Sequence, residues 1–141
     1  MNNYFNYNYG ENLNNNYNTM GLNQNKDNPS VGFERGNLFD NLYEPYKNYK
    51  PVDLNPKDQK EYLMYQVMMY AFALNDLNLY LDINPNDNNM INLRNKYLKE
   101  YQHVFNQYEN KFGALGVNSN VLDKAPWGWV SSFPWEVDKN V

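Results

Sequence analysis

Cysteine is absent from the 141 residues, and histidine occurs once, as His103. The first absence excludes disulfides and thiolate metal sites and leaves the compartment open. With no Cys, one His and no Ser in a Gly-x-Ser-x-Gly turn, a nucleophilic triad has no members to draw on. No Gly-rich loop opens a helix to cradle phosphate; Gly113-Ala114-Leu115-Gly116 follows a helical stretch instead. Basic residues number 12 against 16 acidic, for a net charge of -4. The lack of a Lys/Arg stripe argues against a nucleic-acid binder, which must set cations along phosphates. No apolar run reaches the ~20 residues of a membrane span. The start, Met1-Asn2-Asn3-Tyr4-Phe5, lacks a basic region leading into an apolar stretch, so no secretory signal is expected. The expectation is a chain that is soluble when made and retained by the cell that made it.

What the chain has in abundance is aromatic area. With 14 Tyr, 7 Phe and 3 Trp, apolar surface is carried by rings more than by aliphatic side chains. Tyrosine, apolar in body and polar at its tip, suits surfaces half-buried against other molecules. The length fits one domain, read in three segments.

Residues 1–30 alternate Asn and Tyr and then run in Asn and Gln. Too few aliphatic residues occur to offset chain entropy, which predicts a disordered leader; such tracts also self-associate at high concentration. Residues 31–54 set Phe33, Leu38, Phe39, Leu42, Tyr43 and Tyr46 among Gly32, Gly36, Pro45 and Pro51. That proline density forbids a long helix and leaves at most one helical turn around Asn37–Tyr43. Such a segment serves either as a docking peptide or as a cover for its own core.

Residues 55–141 hold the strongest secondary-structure signal. Asn55-Pro56-Lys57-Asp58 reads as an N-cap followed by Pro at the first helical position. Leu63, Val67, Tyr70, Leu74, Leu77 and Leu81 then recur in steps of three and four, the seam of a packed helix. The start signal returns at Asn84-Pro85-Asn86-Asp87, and Leu98, Tyr101, Phe105, Tyr108 and Phe112 keep the spacing as far as Gly113. The expected fold is all-α: an antiparallel helical hairpin, 57–83 and 85–112, with irregular, aromatic-rich N- and C-terminal segments. Met64, Met68, Met69 and Phe72 lie off the first seam, so that helix needs cover beyond its hairpin partner, from the flanking segments or from a second chain. The tail has no periodicity but holds Trp127, Trp129, Pro134 and Trp135. Tryptophans beside prolines are rigid anchors, serving either a partner or a core that two helices leave too small.

One pattern touches metal chemistry. Glu100-Tyr101-Gln102-His103 has the Glu-x-x-His spacing that supplies ligands in di-metal helical bundles. A complete site needs a second pair, which an oligomer would provide, and further carboxylates such as Glu61 or Glu109. Glu100 and His103 share a face with Lys96, Lys99 and Gln107, away from Tyr101 and Phe105, which reads as a solvated helix face. Asp82 and Asp87 lie around the interhelical turn and read as caps and dipole partners, and the acid pair Asp76 and Asp82 is given no general acid or base role. No catalytic, cofactor-binding or metal residue is assigned.

Three stretches carry a family resemblance. "ALNDLNLYLDINPNDNNMI", "QYENKFGALG" and "PWGWVSSFPWEV" are similar, in order and spacing, to the signatures of the CotJB family across about residues 58–137. Ahead of them "ERGNLFDNLYEPY" resembles the Arg-Gly-Thr-Leu-Phe-Pro-x-Leu-x-x-Pro-Tyr motif of CotJA, with Asn37 for Thr and Asp40 for Pro. The resemblance implies a non-enzymatic spore coat component, made in the mother cell and deposited on the forespore. It also implies a partner, the CotJC-like manganese catalase, which this chain would anchor among other coat proteins, with self-association left open. Candidate partner-binding residues are Leu38, Phe39, Leu42, Tyr43, Tyr46, Trp127, Trp129, Pro134 and Trp135. The rival expectation is a metal-binding oligomeric bundle subunit using Glu100 and His103.

Overall fold

The computed structural model describes residues 28–42, 44, 47–50 and 54–130. Three helices organise it: α1 Pro29–Arg35, α2 Gln59–Ile83 and α3 Asn88–Phe112. Short 3₁₀ turns lie at Asp40–Leu42, Asn120–Leu122 and Gly128–Val130, and the described residues contain no strand. The two long helices pack antiparallel, as expected.

Both long helices start later than the Asn-Pro signals suggest. The caps are Asp58 and Asp87, not Asn55 and Asn84. Carboxylates win because they reach the orphan amides of the first turn. Asp58 accepts from Glu61 N at 2.8 Å while Glu61 reaches back to Lys57 N at 2.7 Å, close to a reciprocal capping box. Asp87 Oδ1 accepts from both Asn89 N and Met90 N at 3.1 Å. Asn84 instead closes α2, its amide donating to Tyr80 O.

The seam of α2 follows the expected rows: Leu63, Val67, Tyr70, Leu74 and Leu77 are buried, with Leu81 packed beside them. On α3 the centre of the seam shifts. Met90, Tyr97 and Val104, seven residues apart, form the buried line with Tyr108, whereas Leu98, Tyr101 and Phe105 flank it partly buried. Phe112, expected in the seam, lies where α3 outruns its cover and is 36% exposed. The apolar band of α3 is wider than one row, so spacing alone does not fix its centre.

A helix at Pro29–Arg35 was not expected. Its signals are local and complete: Asn28 Oδ1 accepts from Ser30 N at 3.0 Å, Pro29 fills the first turn, and Gly36 closes it at φ 91°. Gly32 is required by contact. A Cβ there would lie 2.8 Å from Leu38 Cα, so the chain folds back against its own helix only because that side chain is missing.

This hook is what covers the second apolar side of α2. Leu38 is fully buried and Phe39 nearly so. Phe39 stacks on Tyr80 at 5.0 Å, and Phe33 meets Tyr65 and Phe72 edge-on at 5.6 and 5.8 Å, geometries in which ring quadrupoles attract. Arg35 fixes the bend by donating to Asn37 O and Leu38 O and pairing with Asp40 at 2.9 Å. Asp76 of α2 accepts from Leu38 N at 2.8 Å, so the buried amide is satisfied across elements.

Candidate partner-docking surface

The C-terminal end of α3 carries an open groove. Gly113 ends the helix at φ 104°, and the chain then turns back under control of one side chain. Glu109 is buried, at 7% exposure. Its Oε1 accepts from Leu115 N at 2.9 Å and its Oε2 from Ser119 Oγ at 2.6 Å. With both oxygens used, the buried carboxylate is accommodated, and residues 114–122 are fastened to the helix. Ser119 Oγ in turn accepts from Val121 N, starting the 3₁₀ turn that buries Leu122.

The result is an open groove of about 290 Å³ whose lining includes Phe112, Ala114, Val121, Leu122 and Gly128. Phe112, Val117 and Trp127 stay exposed in this region, the last at 54%. The half-exposed Trp127 indole directly precedes Gly128, which lines the groove together with polar residues of the end of α3, Glu109, Asn110 and Lys111.

The candidate partner residues fall into three groups. Leu38 and Phe39 lie inside the core, and Trp129 is half-buried. Leu42, at 60% exposure, and Trp127 present their side chains to solvent. Tyr43, Tyr46, Pro134 and Trp135 lie outside the described residues, as does the 1–27 part of the leader. Spacing arguments passed over Arg35, Asp76 and Glu109, which hold the flanking segments in place. Glu109 had drawn notice only as a metal ligand.

The metal-ligand pattern comes apart. Glu100 and His103 are exposed, and a His103 ring nitrogen pairs with Gln107 Nε2 at 3.0 Å. Glu61 is spent on Lys57 N and Glu109 on the turn after α3. Among the described residues no group of three or more His, Cys, Asp or Glu could hold a metal ion. Among the described residues no helix is long and apolar enough to cross a membrane.

Hairpin, hook and fastened tail together define a small all-α protein with an open, partly apolar groove at one end of α3. The model of the CotJB protein family matches residues 61–136, more than half of the chain. The chain belongs to the CotJB family and is a spore-coat-related protein. No curated protein and no solved structure matches it.

Proposed function

We propose that this protein is a non-enzymatic structural component of the bacterial spore coat, an adaptor that anchors other coat proteins, including a manganese-catalase-like partner. It would be made in the mother cell and deposited on the forespore. The observation that carries the reading is Trp127, 54% exposed in the stretch running into the groove at the end of α3, within the family-matched region. An indole left half in water beside a partly apolar groove has affinity to offer a partner.

The hook at 29–42 fits the same reading. If it is a CotJA-like unit joined to a CotJB-like one, fusion raises the local concentration of two parts that otherwise meet by diffusion. Its departures from the CotJA motif are consistent with the fold: Asn37 Oδ1 accepts from Phe39 N at 2.8 Å, as a threonine hydroxyl would, and Asp40 pairs with Arg35.

The test is co-expression with the manganese-catalase-like coat protein of the same source, followed by size-exclusion chromatography and metal analysis. Co-elution is expected, with manganese tracking the catalase chain, and Trp127→Ala should abolish it without loss of helicity by circular dichroism. Separate elution of the intact pair would overturn the adaptor role. Manganese retained by this chain alone would move a metal-handling role ahead of it.

A further inference from the structure

α2 is apolar on three sides, and its neighbours cover two of them. α3 packs on the seam, and α1 with Leu38 and Phe39 packs on a second side. The third side runs through Met64, Met68, Ala71, Asn75, Leu79 and Ile83. Of these, Met68 is 49% exposed, Leu79 58% and Ile83 82%. Ala71 and Asn75 are exposed, and Met64 is partly covered. A helix of this kind belongs inside a larger bundle. The stripe is about 30 Å long at 1.5 Å per residue.

We infer that this side of α2 packs against the same side of α2 in a second copy of the chain, antiparallel and related by a two-fold axis near Ala71. The pattern is self-complementary about that point. Ala71, the smallest side chain of the stripe, stands where the two helices would cross and lets their backbones approach. Met64 then lies within one residue's rise, about 1.5 Å along the axis, of the level of Leu79, and Met68 within the same distance of the level of Asn75. At the rim Lys60 of one copy falls opposite Asp82 of the other, and the symmetry makes that ion pair twice. Lys60 and Asp82 are both exposed and lie to the same side of the stripe, as this pairing requires. Glu61, on the other side, has its carboxylate engaged by Lys57 N. The interface would extend the hairpin into a four-helix core made of two α2–α3 pairs, whatever coat proteins the dimer then meets.

Lys60 and Asp82 give the test its discrimination. Within one straight helix they are about 33 Å apart, so only a second chain can bring them together. Sedimentation equilibrium of the full chain should show a concentration-dependent dimer. Ala71→Glu, which puts a like pair of charges at the crossing, should give a monomer with unchanged helicity. Lys60→Glu and Asp82→Lys should each weaken dimerisation by about tenfold, two attractive pairs having become repulsive, and the double swap should restore it. A chain monomeric at every concentration would overturn the inference, and so would a dimer indifferent to Ala71→Glu. A double swap no better than either single variant would rule out the antiparallel arrangement.

Discussion

Tyr108 is fully buried, yet its hydroxyl finds no hydrogen-bond partner among the described residues. The ring does the packing, 5.4 Å from Phe112, and burial raises the hydroxyl's pKa above its ordinary value. An unpaired buried hydroxyl has lost its water without compensation, a cost of about 1–3 kcal/mol. Tyr108→Phe keeps the ring and removes that cost. Urea unfolding should give a stability equal to the parent or higher; a loss above about 1 kcal/mol would mean that the hydroxyl is bonded after all. Gly32 makes the opposite point at the same scale, since it contributes through what it leaves out. Leu38 lies where a side chain on residue 32 would be.

At the scale of elements, a carboxylate of the hairpin fastens each flanking segment: Asp76 the hook, Glu109 the tail. Asp76→Ala leaves the Leu38 amide without its acceptor. Hydrogen exchange should then show Leu38 and Phe39 losing protection, while α2 and α3 amides keep theirs; uniform loss would mean that the hook and the hairpin unfold together. The hairpin was legible in the sequence because Leu63 to Leu77 repeat at helical spacing and Gly113 stops α3. Helix α1 was equally signalled by Asn28-Pro29 and Gly36, but composition hid it, since it lies where the Asn-rich leader meets a Pro-rich stretch. Asp76 and Glu109 were invisible for another reason. Each acts on residues distant from its own helical face, 38 positions away for Asp76, and no periodicity encodes such a pairing. The groove with Trp127 was half legible: the indoles stood out, but which of them would face solvent depends on the turn that Glu109 fixes.

For the whole molecule, burial of tyrosine ties stability to alkaline pH. Tyr80, Tyr101 and Tyr108 all have pKa values raised from 10.0. Burial is the main cause in each, joined at Tyr80 by its hydrogen bond to Asp87 and at Tyr101 by the charge of Glu109. A raised folded pKa means that the native state holds the proton more tightly than the unfolded chain. Its contribution is therefore fully present below pH 10 and is lost as pH rises through the folded values. Thermal melts should hold steady up to about pH 10 and fall beyond it, with phenolate absorbance at 295 nm lagging in the folded protein; melts already falling at pH 8 would point to other groups. The Leu38–Asp76 bond also sets an order of events during synthesis. At roughly 5–20 residues per second, Asp76 is added about 2–8 s after Leu38. Through that interval Leu38 and Phe39, destined for the core, lack the helix on which they dock, so the hook takes its place only after α2 has been made.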